Sequence, residues 1–190
     1  SRLRDAGKTP YNHIKEHMSR SSAAISYMDA SLEINEQLSA MGVEEVKVYI
    51  ASGGAQGGLQ IGSNALDLPW TVNGFLVGTP EESFVDIVGW SNNALRHMGF
   101  EARIGWEDVV QIDDYIGPGY AKVSEAGVEA IRMTAELEGV LLDPVYTSKV
   151  MAGIIDHARK GILGPDDTVL FVHTGGLPEL FNFADELRRT

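Results

Sequence analysis

The chain has 190 residues, of which 44% are hydrophobic, and a formal net charge of −12 from 15 basic and 27 acidic side chains. This predicts one domain, at most one and a half, with a sizeable core, and argues against a nucleic-acid partner, because phosphate backbones bind basic surfaces. With no run of about 18 apolar residues, no signal-peptide core and no cysteine, we expect a cytoplasmic protein without a membrane segment, disulfides or thiolate metal sites.

The first half of the chain alternates between helix and strand patterns. Apolar residues at helical spacing predict a helix over 22–41, and a β-branched run predicts a strand over 46–51. A glycine-rich turn then leads into a helix that ends near Leu66, and a second strand follows over 71–77. Thr-Pro-Glu-Glu predicts the start of a helix over 79–97, because it offers a hydroxyl cap, a proline and two acids in the first turn.

The second half continues the alternation after an irregular segment over 101–120. Helices are predicted over 124–138 and 147–161, and a last strand over 169–173. Thr-Gly-Gly at 174–176 turns that strand into a final helix. Strands separated by helices predict an α/β fold, in which a parallel sheet is covered on both faces and ligands bind at the carboxyl ends of the strands.

The glycine turn (residues 52–58) is the most informative segment, because it joins a predicted strand to a predicted helix. Glycines allow close approach of the backbone, and the first N–H groups of a helix point at any bound anion. The turn has neither the Gly-Lys-Ser/Thr of a P-loop nor the spacing G-x-G-x-x-G. Phosphate binding and a turn without a ligand both remain open. The segments 174–176 and 143–149 are expected at the same edge of the sheet.

Candidate metal ligands are sparse in this sequence. The five histidines are scattered. His13 and His17 share helical spacing, but no third histidine or carboxylate pattern completes a set with them. We therefore predict no metal site.

Three ordered motifs resemble one enzyme family. They are Ala-Ser-Gly-Gly-Ala-Gln-Gly-Gly at 51–58, Leu-Asp-Pro-Val-Tyr-Thr-Ser-Lys at 142–149 and Phe-Val-His-Thr-Gly-Gly at 171–176. The sequence is similar to the D-cysteine desulfhydrase and 1-aminocyclopropane-1-carboxylate deaminase family of pyridoxal-phosphate enzymes, over nearly all of the chain from Tyr27 onward. The resemblance implies the tryptophan-synthase-β-like fold (fold type II), with its amino-terminal part missing here, and a homodimer. Residues 1–45 would be a remnant of the smaller domain with a connecting helix, and 46–190 the larger coenzyme-binding domain.

The resemblance also assigns roles to individual residues. Tyr120 and Tyr146 would face the substrate, and Thr147 would hydrogen-bond the pyridine nitrogen of pyridoxal 5'-phosphate. The deaminase branch usually has Glu at the position of Thr147, so threonine favours the desulfhydrase branch. The remaining predicted coenzyme ligands surround the phosphate: Ser52, Gly53, Gly54, Ala55, Gln56, Gly57 and Thr174. Each role has a structural alternative, because Tyr120 and Tyr146 could be buried aromatics and Thr147 only a helix cap.

Several positions depart from the family pattern. Ala55 stands where the family generally has Thr, and Ser148 replaces a Gly. The Schiff-base lysine of the family lies in an amino-terminal portion that this chain does not contain, so we expect that lysine outside the chain. Lys149 is the lysine nearest to the predicted pocket, and the interpretation we favour for it is a structural helix residue. His173 is likewise interpreted as structural.

The function implied is that of a pyridoxal-phosphate lyase or deaminase acting on a small amino acid. D-cysteine, with release of pyruvate, ammonia and sulfide, is the leading example. The lysine would come from a missing amino-terminal segment or a companion chain, so this chain alone would be inactive. The alternative is a non-catalytic binding or structural module that retains the fold, and a weaker one is an enzyme that binds another phosphorylated ligand.

Overall fold

A computed structural model describes residues 20–82 and 85–188. Its centre is a four-stranded, fully parallel sheet in the order β3-β2-β1-β4. The strands are β1 (Val46–Ala51), β2 (Trp70–Phe75), β3 (Val110–Ile112) and β4 (Val169–Phe171). The helices are α1 (Arg20–Ala40), α2 (Gly54–Ala65), α3 (Ile87–His97), α4 (Glu125–Glu138), α5 (Thr147–Arg159), α6 (Glu179–Asn182) and α7 (Ala184–Arg188), with a 3₁₀ turn at Trp106–Asp108.

Strand β1 is the centre of the core, because both of its faces are covered. Val48 and Ile50 pack with Leu38 of α1 and Leu59 of α2 on one face. On the other face, Tyr49 and Ala51 pack with Val150 of α5 and with Phe75 of β2. A strand buried on both faces favours the continuous apolar, β-branched run seen at Val46–Ala51.

Helices α1 and α2 approach each other closely through glycine. A Cβ atom on Gly58 would lie 2.4 Å from the carbonyl oxygen of Ala24, and one on Gly62 would lie 1.8 Å from Ser31 Oγ. The glycines of α2 therefore serve this helix contact, which holds α2 in place at the end of β1.

The structure confirms the predicted parallel sheet with flanking helices and corrects some boundaries. Helix α3 begins at Ile87, where the sequence predicted a start at Thr79. Thr79 instead begins a turn, in which its N–H donates to Glu82 Oε2 at 3.1 Å and its carbonyl accepts from the N–H of Glu82 at 3.0 Å. The helix is capped by Asp86, whose carboxylate accepts from the N–H of Gly89 at 2.9 Å.

Two other predictions also change. The short strand β3 lies within the segment predicted to be irregular, and the predicted final helix is two short helices. The proposed domain boundary between residues 45 and 46 stays a prediction. In the described part of residues 1–45, helix α1 packs against α2 and α3. Across residues 20–82 and 85–188, no helix has the length and apolar character needed to cross a membrane.

Candidate functional site

The glycine turn, the start of α5 and the segment after β4 converge at one edge of the sheet. They enclose a cavity of about 300 Å³ at the carboxyl ends of β1 and β4. Six of the predicted site residues line it: Ser52, Gly53, Gly54, Ala55, Tyr146 and Thr174. The position agrees with the rule that ligands of parallel sheets bind beyond the carboxyl ends of the strands.

The start of α2 supplies hydrogen-bond donors to this cavity. Helix α2 begins at Gly54, and its N-cap residue, Gly53, has no side chain that could accept a bond from the first amides. The first N–H groups of a helix have no partner within the helix, so the amides of Gly54, Ala55 and Gln56 are donors at the positive end of the helix dipole. A Cβ atom added to Gly53 would meet no atom within 4 Å. This arrangement fits a phosphate group, whose oxygens accept such bonds.

Ser52 and Gln56 are occupied by other partners. The N–H of Ser52 donates to the carbonyl of Phe75 at 2.8 Å. Its hydroxyl donates to Gln56 Oε1 at 2.8 Å and accepts from Gln111 Nε2 at 2.9 Å. The Gln56 side chain, which is fully buried, donates to the carbonyl of Val110 at 2.8 Å. Both donors of Ser52 are thus used to join the turn to the sheet, and the Gln56 side chain joins α2 to β3.

Gly57 differs from its predicted role as a phosphate-binding amide. Its N–H donates to the carbonyl of Gly53 at 3.1 Å, as the first closed turn of α2. A Cβ atom on Gly57 would lie 2.5 Å from Ser91 Oγ in α3. Its backbone donor is therefore used within the helix, and the absence of a side chain serves contact with α3.

Asp143 and Thr147 cap the start of α5. The Asp143 carboxylate accepts from the amides of Val145, Tyr146 and Thr147 at 2.7, 2.8 and 2.7 Å, and from the Thr147 hydroxyl at 2.6 Å. The N–H of Asp143 donates back to Thr147 Oγ1 at 2.8 Å. Thr147 is fully buried and is not among the residues that line the cavity within the described chain. The Asp143 carboxylate is thus the acceptor for the first amides of α5, and the Thr147 hydroxyl holds Asp143 in place.

The segment after β4 is fitted to the same carboxylate. Gly176 has φ +91°, and a Cβ atom there would lie 2.6 Å from Cγ of Asp143. Glycine at this position lets the chain pass closely over Asp143 in a backbone conformation that other residues rarely adopt. Thr174, two residues earlier, lines the cavity.

Tyr146 and Tyr120 form a pair at the cavity wall. Their hydroxyl groups are hydrogen-bonded to each other, and their rings lie edge to face at 6.1 Å. Burial raises the pKa of Tyr146 above its ordinary value, and the hydrogen bond to Tyr120 acts in the same direction. A tyrosine is protonated at neutral pH even at its ordinary pKa, and the upward shift extends this to higher pH, so the Tyr146 hydroxyl is available as a proton donor and not as a base.

The charged side chain among the lining residues is Arg20 at the start of α1. Its guanidinium lies 5.3 Å from the centre of the Trp90 ring, in position for a cation–π contact. It adds positive charge to a cavity within a chain of net charge −12. No motif in the sequence pointed to Arg20, which stands in a polar segment.

The remaining candidates lie outside the cavity. His173 Nε2 is 2.8 Å from the carbonyl oxygen of Leu141, in agreement with a structural role. Lys149 points to three backbone carbonyls. No group of three or more His, Asp or Glu side chains suited to a metal occurs among the described residues. His13 and His17 lie outside those residues.

The parallel sheet, with helix N–H donors at its carboxyl edge, is an α/β arrangement that suits a phosphorylated ligand. Residues 8–175 match the family described as pyridoxal-phosphate dependent enzyme. The chain belongs to this family. The described residues fit its coenzyme, because the donors of α2 and the open side of Gly53 suit a phosphate.

Similar proteins were found among both sequences and structures. The chain is 33% identical to D-cysteine desulfhydrase of Klebsiella pneumoniae over 98% of its length and 56% of that protein. It is 36% identical to D-cysteine desulfhydrase of Salmonella newport, over 84% of the chain and 48% of that protein. The chain thus spans about half the length of the curated relatives it matches.

Solved structures agree with the fold. The structure of an ACC deaminase homologue matches 87% of this chain and 49% of its own, with a TM-score of 0.73 and 30% identity. A fungal L-serine ammonia-lyase from Rhizomucor miehei matches 86% of this chain and 55% of its own, with a TM-score of 0.52 and 17% identity, which concerns the fold alone. The predicted resemblance, fold type II and the pyridoxal-phosphate family are confirmed.

Proposed function

We propose that this chain carries the phosphate-contacting and ring-contacting part of the active site of a pyridoxal-phosphate lyase or deaminase. Its substrate would be a small amino acid, with D-cysteine first, and the products pyruvate, ammonia and sulfide. The main support is the cavity itself. Its wall includes both the first residues of α2, whose amides have no partner within the helix, and Tyr146. Identity of 33–36% to D-cysteine desulfhydrases supports the choice of substrate.

Each described residue has a distinct task in this proposal. The amides of Gly54, Ala55 and Gln56 hold the coenzyme phosphate, and Arg20 adds positive charge. Thr174 contributes to the wall beside them. When bound, pyridoxal phosphate supplies an electron sink that weakens the bonds at the α-carbon of the substrate. Tyr146 holds a proton at its hydroxyl, where the leaving group of the substrate would take it up.

Thr147 is fully buried and does not line the cavity, so the proposed contact with the ring nitrogen requires the wall beside Thr147 to open when the coenzyme binds. If the hydrogen bonds between Thr147 and Asp143 persist, the Thr147 hydroxyl can only accept a bond from the ring. Its hydroxyl proton is directed at Asp143, so the oxygen is left to accept a bond from a ring N–H. The buried Asp143 carboxylate would then favour a protonated ring nitrogen through the Thr147 hydroxyl. A hydroxyl alone could not keep that nitrogen protonated as a carboxylate would.

Replacing Thr147 with Ala should therefore have two effects. It removes the hydroxyl between Asp143 and the ring, and leaves the buried N–H of Asp143 without its acceptor. We expect a loss of about 1–3 kcal/mol in the free energy of unfolding and a shifted coenzyme absorption spectrum. Thr147→Ser is the matched control and should retain both. An unchanged spectrum in Thr147→Ala would show that Thr147 is only a cap.

The lysine that carries the coenzyme lies, in this proposal, outside the chain, in a longer polypeptide or a companion chain. Lys149 is unsuited because its ammonium group already donates to three carbonyls. We expect borohydride treatment of this chain with pyridoxal phosphate to leave no coenzyme attached to Lys149, as measured by peptide mass spectrometry. Coenzyme fixed at Lys149 would contradict the proposal.

A homodimer and a cytoplasmic location are further parts of the proposal.

The direct test of function is turnover by the intact protein that contains this chain. We expect sulfide and pyruvate from D-cysteine, at a higher kcat/KM than for L-cysteine or for 1-aminocyclopropane-1-carboxylate. One observation favours the alternative of a non-catalytic binding module: Ala55 offers the phosphate no hydroxyl where relatives of this family generally have one. Coenzyme binding without turnover of any small amino acid would support that alternative.

A further inference from the structure

Lys149 is a buried lysine whose three N–H donors are all used. Its side chain is 1% exposed. Nζ donates to the carbonyl oxygen of Val77 at 2.8 Å, of Ile116 at 2.7 Å and of Gly119 at 2.7 Å. An ammonium group has three donors and no acceptor, so this set of three carbonyls matches it completely.

The electrostatic surroundings also favour the charged form at neutral pH. Burial lowers the pKa of Lys149 to about 8, while the carboxylates of Glu82 and Asp143 act in the opposite direction. A neutral amine would turn a lone pair towards the carbonyl oxygens. The three bonds therefore belong to the ammonium form.

The carbonyls come from segments far apart in the sequence. Val77 follows β2, whereas Ile116 and Gly119 belong to the 113–121 loop, which ends next to α4. This loop has left-handed backbone at Gly117, Gly119 and Ala121, with φ of +65°, +136° and +53°. Lys149 thus joins α5 and the end of β2 to a loop of irregular backbone.

The same loop carries Tyr120, directly after the carbonyl of Gly119. The N–H of Tyr120 donates to Glu82 Oε2 at 2.9 Å, and its hydroxyl meets that of Tyr146. The Lys149 bond therefore fixes the backbone one residue before the tyrosine that contacts the cavity wall.

We propose that Lys149 is a positioning residue, which holds the 113–121 loop so that the Tyr120 hydroxyl meets the Tyr146 hydroxyl. The effect of Lys149 on turnover rests on the proposed function. Its effect on the position of Tyr120 does not depend on that function. Lys149 reaches neither the cavity nor, in this proposal, the reacting atoms. It acts through the backbone at Ile116 and Gly119.

The test uses the intact protein with Lys149→Met, which keeps an unbranched side chain but removes the charge and the donors. Lys47→Met is the matched control, because the Lys47 ammonium pairs with Asp167 at 2.7 Å and has no contact with the 113–121 loop among the described hydrogen bonds and ion pairs. Tyrosine Cζ resonances, assigned with Tyr120→Phe and Tyr146→Phe, should shift in Lys149→Met alone. In Lys149→Met, the rate of amide hydrogen exchange over residues 114–121 should rise about tenfold or more, because the loop loses its restraint.

Chemical rescue separates placement from mere folding. In Lys149→Ala, added ammonium chloride should restore the tyrosine resonances, and tetramethylammonium chloride at equal ionic strength should not, because it has no N–H donor. If neither variant folds, the test is made on the unsubstituted protein. Its Lys149 ammonium group should give a nitrogen–proton NMR signal, because the three hydrogen bonds protect its protons from exchange with water. Unchanged tyrosine resonances in a folded Lys149→Met protein, or an unprotected ammonium signal, would overturn the proposal. All these measurements can be made without coenzyme, so failure of the proposed function would leave them unaffected.

Discussion

Replacing Tyr146 with Phe should lower the rate of elimination by roughly 10²–10⁴-fold in the intact enzyme while coenzyme stays bound. The change removes one oxygen and keeps the ring. That oxygen belongs to a residue of the cavity wall and is hydrogen-bonded to Tyr120. It carries a proton at neutral pH, as any tyrosine does, and burial raises the pKa of Tyr146 further. The measurement is kcat with D-cysteine, together with the coenzyme content of the purified variant.

Tyr49→Phe provides the matched control for this experiment. The Tyr49 hydroxyl is also largely buried and bonded to one side chain, His157 Nδ1 at 2.8 Å, but Tyr49 does not line the cavity. It should lose about 1 kcal/mol of stability and keep its turnover. If Tyr146→Phe retains nearly full turnover on every small D- and L-amino acid tried, Tyr146 is a packing residue and its catalytic role is wrong.

Replacing Gly53 with Val should weaken coenzyme binding by about 100-fold or more, since charge-assisted bonds to the phosphate contribute roughly 1.5–3 kcal/mol each. The backbone at Gly53 is extended, with φ 163°, so any residue can adopt it. Its Cβ position faces open space next to the amides of α2. A valine would therefore fill the space beside the donors without straining the fold. Equilibrium dialysis with pyridoxal phosphate measures the effect.

The choice of Gly53 matters for interpretation. A side chain at Gly54 would place Cβ 2.6 Å from the carbonyl oxygen of Arg20, so Gly54→Val would separate α1 from α2 and confuse binding with folding. Gly164→Val is the matched control, because a Cβ there makes only an ordinary contact with Asp167 at 3.7 Å. A Gly53→Val protein that folds and binds the coenzyme normally would contradict the phosphate site.

Local patterns were sufficient for the central part of the fold. The β-branched run of β1 and the glycines after it predicted both the strand and the start of α2, because both features act over a few residues. The predicted start of α3 at Thr79 was wrong for a physical reason. Thr79 and Glu82 do pair, but the Glu82 carboxylate also accepts from the N–H of Tyr120, 38 residues away, and the segment remains a turn.

The site was predictable only in part. Its location followed from the predicted parallel sheet, whose strands end at one edge, and from the three motifs. The role of Thr147 as a helix cap was one of two interpretations of the sequence. The contact of Ser52 with Gln111 and those of Lys149 could not be predicted from local sequence, since these partners lie tens of residues away. Strand β3 has three residues, too few for an alternating pattern to stand out.

A crystal structure of the intact protein with pyridoxal 5'-phosphate would test the phosphate site directly. We expect phosphate oxygens at about 2.7–3.2 Å from the amide nitrogens of Gly54, Ala55 and Gln56, with the Tyr146 hydroxyl on the substrate side of the coenzyme. A coenzyme phosphate bound elsewhere, with the glycine turn closed over by its own side chains, would contradict it.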